Sequence, residues 1–135
     1  MSFHWTEFLT LAEALQSDPN SPGPPEAALR SAASRAYYAA FNCALNFACK
    51  EGFIPKKSGL DHQGIQIYFT TFKPPDPVRG KIGRELNRLC DHRRKADYED
   101  TLGKRPDSLA YHAVGMAKRV IQNLRSLSLP DDDPQ

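Results

Sequence analysis

A chain of 135 residues, 40% hydrophobic and 25% charged, is the size of one domain with one core. No apolar run approaches the ~20 residues of a membrane span, and the opening MSFHWTEFLT lacks the basic start and apolar block of a secretory signal. A net charge of +2 is too small for a general polycation, and three cysteines (Cys43, Cys49, Cys90) without a CxxC pair make neither a disulfide framework nor a zinc site, so a cytoplasmic protein is expected.

In chain order, 4–16 places Trp5, Phe8, Leu11, Ala12 and Leu15 at helical spacing. SDPNSPGPP (17–25) is a polar connector whose prolines forbid a continuing helix. A long alanine-rich helix is expected from about Glu26 to Lys50, with Gly52 as its stop signal. Residues 51–60 read as loop and 61–72 as a short helix. KPPDP (73–77) breaks the chain again, and a third long helix runs from about Val78 to Asp100. TLGKRPD (101–107) is a turn whose Pro106 suits a first helical turn, and the last helix covers about Ser108 to Leu127. The pattern predicts an all-α, up-and-down bundle of four or five helices over residues 1–129, followed by an acidic flexible tail at 130–135.

Sorted at about 100° per residue, the faces separate. On the alanine-rich helix, Leu29, Ala33, Ala36, Tyr37, Ala40, Ala44 and Phe47 form one stripe. Arg35, Asn42 and Asn46 lie opposite, with Tyr38 at the border. On the third long helix Val78, Ile82, Leu86, Leu89 and Ala96 share a face, and Arg93 falls in its middle with Asp97 one turn on. An inward arginine must be paired, so the pattern calls for either a structural ion pair with Asp97 or an arginine anchored in a cleft or interface. Lys81, Arg84, Arg88, His92 and Lys95 occupy another arc, either a solvated face or a stripe that follows a phosphate backbone. Residues 79–105 hold nine Lys/Arg against five Asp/Glu, an excess of four positive charges. The last helix has a core face of Leu109, Ala113, Met116, Ala117, Val120, Ile121, Leu124 and Leu127, with Arg105, His112 and Arg119 on one flank.

No phosphate-binding loop, dinucleotide fingerprint or nucleophile elbow is present. His4, His62, His92 and His112 lie in separate elements without metal-ligand spacing. Neither a cofactor nor a metal is expected.

Two segments carry a resemblance. SRAYYAAFN (34–42) is similar to the second-helix signature of HEPN domains, and RRKADYED (93–100) resembles the Arg-x-x-Ala-Asp-Tyr signature of one large branch of that family. The helix order fits, including a histidine-containing short helix, DHQGIQIYF, between the two. The resemblance spans residues 5–127 and implies a bundle that dimerises, with a polar cleft near the dimer axis. Arg35, Tyr38 and Asn42 would then line the cleft, with Arg93, Asp97 and Tyr98 facing them.

Many HEPN proteins are metal-independent ribonucleases of toxin–antitoxin and defence systems that use an Arg, four to six residues, then a His. Here the position four intervening residues after Arg93 is Tyr98, and Asn42 stands where the branch often has His. Arg105 and His112 satisfy the literal spacing, as an alternative pair, but Pro106 intervenes. The resemblance therefore implies a toxin- or defence-type protein acting on RNA. It leaves open a non-catalytic module binding a nucleotide or a partner such as a minimal nucleotidyltransferase antitoxin, and a dimeric scaffold.

Overall fold

The computed structural model describes residues 3–17 and 25–128 and contains five helices: α1 Thr6–Ser17, α2 Pro25–Lys50, α3 Leu60–Thr70, α4 Pro77–Tyr98 and α5 Pro106–Leu127. They form a helical bundle, and the described residues include no strand. Most of the expected connector at 17–25 and all but Ser128 of the SLPDDDPQ tail lie outside the described residues.

α2 is the central helix and packs against α1, α3, α4 and α5. This is why its composition is unusual. Ala32, Ala33, Ala36, Ala39, Ala40, Ala44 and Ala48 are almost completely buried, and they point to several neighbours rather than one. Small side chains on all sides let four helices approach one axis. The expected single apolar stripe is correct for Tyr37, Ala40 and Ala44 but too narrow, since Phe41 and Cys43 are buried as well. In α1 the inward position expected for Leu11 belongs to Leu9. Leu9 packs on the core, whereas Leu11 is 44% exposed.

The helix ends follow local chemistry. Gly52 takes φ +109°, a left-handed turn that lets Phe53 N–H return to the Ala48 carbonyl at 3.0 Å and stop α2. Asp76 caps α4 by accepting from the Val78 and Arg79 amides, at 2.8 and 3.3 Å, with Pro77 at the first position. The buried Asp61 carboxylate accepts the Lys56 and Lys57 amides at 2.8 and 2.7 Å, closing the loop that leads into α3.

Long-range polar contacts fix α2 antiparallel to α4. Arg30, near the start of α2, donates to the Ala96 and Glu99 carbonyls at the end of α4, at 3.2 and 2.5 Å. At the other end, Arg79 of α4 binds the Glu51 carboxylate just past α2 through both terminal nitrogens, at 2.8 and 2.5 Å. α4 and α5 are joined by Glu85 and Arg119 at 3.2 Å.

α3 lies close along α4 at Gly83. A methyl group there would stand 2.4 Å from Thr70 Cγ2 and 2.9 Å from the Gln66 carbonyl oxygen. The glycine is the point where the two backbones meet.

Candidate functional site

The fourth turn of α2 presents two adjacent tyrosines to different surroundings. Tyr37 is fully buried, whereas Tyr38 is half-buried at the edge of the core. α3 brings His62 over them. The His62 ring stacks on Phe41 with centroids 4.4 Å apart, and its Nδ1 hydrogen-bonds the Tyr37 hydroxyl. α4 brings Arg93 from the other side. Its guanidinium carbon lies 5.3 Å from the Tyr37 ring centroid and 5.8 Å from that of Tyr38. The inward arginine read from helical periodicity is thus held between aromatic rings.

Arg93 is poorly satisfied for a side chain only 12% exposed. Its ion pair with Asp97 is long, 3.8 Å, its Nη2 reaches Cys90 Sγ at 3.9 Å, and its buried Nε has no hydrogen-bond partner. Asp97 also accepts from Ser34 at 3.4 Å, and Ser34 in turn accepts from Arg35 at 3.4 Å. The Arg35 guanidinium lies over Phe8 and Tyr38, at 4.8 and 5.2 Å.

Arg93 and His62 border one recess of about 400 Å³ between α3 and α4. Gln63, Gln66, Asn87 and Arg94 complete most of its lining, with the buried Cys90, and no carboxylate is among them. It is a polar, positively biased hollow whose lining suits an anion.

The His62–Tyr37 pair sets the proton chemistry. His62 is held below the usual imidazole pKa, first by burial and then by the positive charge of Arg93, so it is neutral at pH 7. Burial, and then Cys90 beside it, push the Tyr37 pKa far above the usual phenol value, so the phenol keeps its proton. The Tyr37 hydroxyl and Nδ1 of His62 share a hydrogen bond that can run in either direction. When Nδ1–H donates to the phenol oxygen, Nε2 is left with a lone pair. When the phenol donates to Nδ1, Nε2 carries the hydrogen. Nε2 can therefore accept a hydrogen bond in one tautomer and donate one in the other.

No family model, curated protein or solved structure matches the chain. The site is therefore read from its own residues.

Of the expected cleft residues, Arg35, Tyr38, Arg93 and Asp97 come together, and two do not join them as expected. Tyr98 is 75% exposed, because one step beyond Asp97 turns it about 100° away from the α2–α4 contact. Asn42 is half-buried, and its amide donates to the Tyr38 carbonyl of its own helix at 2.9 Å. The alternative pair is not a unit either. Arg105 is held by the Asp107 carboxylate at 2.8 Å, and His112 Nδ1 bonds the Ser108 carbonyl at 2.8 Å.

The basic stripe divides. Lys81, Arg88 and His92 face a groove against α5, Lys95 pairs with Asp91 at 3.2 Å, and Arg84 folds back over Gly80.

The residue that sequence reasoning did not place is His62. It sits 31 positions before Arg93, and no local spacing connects them. The available signal was the short histidine-containing helix between the two signature segments. Among the described residues no group of three or more His, Cys, Asp or Glu could hold a metal ion, and no helix is long and apolar enough to cross a membrane.

Proposed function

We propose that the chain is a HEPN-type protein of toxin or defence character that acts on RNA as a metal-independent endoribonuclease, with Arg93 and His62 as its chemical centre. The observation that carries this reading is the recess itself. It pairs an under-satisfied guanidinium with a neutral, two-state imidazole, and no carboxylate lines it.

Arg93 would bind the non-bridging oxygens of a phosphodiester and stabilise the charge that builds on them. Neutral His62 would take the proton of the ribose 2′-hydroxyl as its oxygen bonds to phosphorus. The bond from phosphorus to the 5′-oxygen then breaks, and that oxygen takes its proton from the His62 imidazolium formed in the first step, which restores the neutral ring. In this assignment a histidine from α3 takes the role that the family resemblance gives to a His separated from the arginine by four to six intervening residues. The resemblance adds dimerisation and a nucleotidyltransferase-type antitoxin as partners. Asp97 favours a second reading, in which the recess holds a nucleotide phosphate without cleaving it, because this carboxylate already offsets part of the Arg93 charge.

The test is cleavage of single-stranded RNA in EDTA by the wild type, Arg93→Ala and His62→Gln, each checked for helical content and melting temperature. Loss of cleavage by a factor of about 10² to 10³ in both folded variants is expected. Activity should also fall in acid, through a pH lower than the ordinary imidazole value of about 6.5, as His62 protonates at its lowered pKa. Unchanged cleavage in both variants would remove the assignment of residues. Nucleotide-dependent stabilisation with intact RNA would establish the second reading instead.

A further inference from the structure

On the opposite side of α4 from the recess, a second polar surface is built from three segments. A groove of about 480 Å³ is lined by Lys81, Arg88 and His92 of α4, Lys104 of the α4–α5 turn, and His112 and Arg119 of α5. In the sequence, the α4 stripe and the α5 flank were separate features, and the antiparallel packing of the two helices makes them one. Met116 and Glu85 complete the lining.

The charge there is organised. Glu85 is its only carboxylate and is buried, 4% exposed, beneath the cations. It pairs with Arg119 at 3.2 Å and with Arg88 at 3.5 Å. One buried anion thus anchors two guanidiniums whose side chains remain 52% and 64% exposed, which restricts their rotamers while leaving N–H groups outward. Lys81 and Lys104 have no ion-pair partner among the described residues.

Both imidazoles are also oriented. His92 Nδ1 lies 2.9 Å from the Arg88 carbonyl and His112 Nδ1 lies 2.8 Å from the Ser108 carbonyl, so each Nδ1 carries its hydrogen and leaves Nε2 for a ligand. The ligand that meets spaced, outward cations across two helices and a turn is an extended polyanion.

We infer that the α4–α5 groove is a docking site for the sugar–phosphate backbone of single-stranded RNA, separate from the recess where the strand is acted on. The inference rests on the RNA reading above. RNA is favoured over an acidic peptide because two oriented imidazoles offer ring faces for bases and Nε2 for ribose hydroxyls as well as charge.

The experiment measures binding of a 2′-O-methyl oligouridylate, which lacks the attacking hydroxyl, over a series of salt concentrations. The proteins are the wild type, Lys81→Ala/Lys104→Ala and Arg93→Ala. Both lysines are exposed, so their truncation does not threaten the fold. The lysine variant should bind on the order of tenfold more weakly at about 50 mM salt, and its log–log salt slope should be smaller by about 1.4, at ~0.7 per phosphate contact. Arg93→Ala should keep most of the affinity, and the ring-proton resonances of His92 and His112 should shift as RNA is added to the wild type. Equal affinity and slope in the wild type and the lysine variant would overturn the inference while leaving the recess reading intact. So would polyglutamate binding where the oligonucleotide does not. Oligonucleotide bound through the lysines, with unmodified RNA left intact in the EDTA assay, would sink the nuclease reading alone.

Discussion

α4 carries two inward arginines, Arg79 and Arg93, fourteen positions apart and within about 40° of the same face. Both lie over aromatic rings. Arg79 lies 3.7 Å from the Phe72 centroid and 5.6 Å from that of Phe47, and Arg93 lies against Tyr37 and Tyr38. Their polar partners differ. Arg79 is only 9% exposed, and its two terminal nitrogens bind one carboxylate, Glu51, which also accepts from the Tyr68 hydroxyl at 2.7 Å. Arg93 has one long ion pair, a distant sulfur and an unpartnered Nε. The first arrangement closes a corner between α2, α3 and α4 and leaves nothing for a ligand. The second leaves a cation beside a hollow. Inward placement alone does not distinguish the two arginines; the count of satisfied donors does.

The largest test of this contrast is on stability. Arg79→Ala leaves the Glu51 carboxylate half-enclosed without its cation and should cost about 3 kcal/mol, the low end for breaking a buried pair because Glu51 keeps some exposure. Arg93→Ala should cost about 1 kcal/mol or less, since it loses ring contacts but also removes an unsatisfied buried group. Urea unfolding of both proteins measures the difference, and equal losses would erase the distinction. Acid sharpens it. Arg79, through its hydrogen bonds to the carboxylate, holds Glu51 below the usual pKa. A depressed carboxylate contributes fully above its unfolded value, near 4.3, and the contribution is lost as the pH falls through the lower folded value. The gap between the wild type and Arg79→Ala should therefore narrow on acidification below about pH 4, while the gap to Arg93→Ala should not follow that titration.

The second test concerns the spacing that creates the hollow. Gly83→Ala places a methyl 2.9 Å from a backbone oxygen of α3, which cannot move without moving the helix. Overpacking of this kind costs about 1–3 kcal/mol. Because α3 carries His62, the shift should also perturb the His62 resonances more than those of His112, which lies away from α3. A variant as stable as the wild type, with His62 unmoved, would show that the α3–α4 contact does not set the recess.

Helix order and most core positions were legible in the sequence because periodicity and punctuation act locally. The Pro77 and Pro106 starts and the Gly52 stop are each decided within a few residues. Arg93 could be found as inward for the same reason. What periodicity could not supply was the partner of each polar group. Arg30 ending α4, Arg79 binding Glu51, and His62 meeting Arg93 all join residues far apart in the chain. Glu85 illustrates the limit. It lies among the basic residues of the α4 stripe, and its burial depends on α5, which supplies Arg119 across the groove. Tyr98, exposed on this chain, shows a second limit. A signature segment names residues in a row, whereas helical geometry presents only some of them to any one neighbour.

The smallest expected effect isolates Asp97. If Arg93 were a structural arginine like Arg79, removing its carboxylate should cost as much as removing Glu51 from Arg79. The 3.8 Å separation and the 30% exposure of the Asp97 side chain argue otherwise. Asp97→Asn keeps the shape and removes the charge, and the stability change should stay within about 0.5 kcal/mol, the range for exposed pairs. Affinity for inorganic phosphate at the recess should rise, because the anion no longer competes with a carboxylate for the guanidinium. Thermal melts at increasing phosphate should therefore shift further for Asp97→Asn than for the wild type, and not at all through this site for Arg93→Ala. A loss of 2 kcal/mol or more in Asp97→Asn would instead make Arg93–Asp97 a packing pair. The two arginines of α4 would then differ in strength rather than in kind.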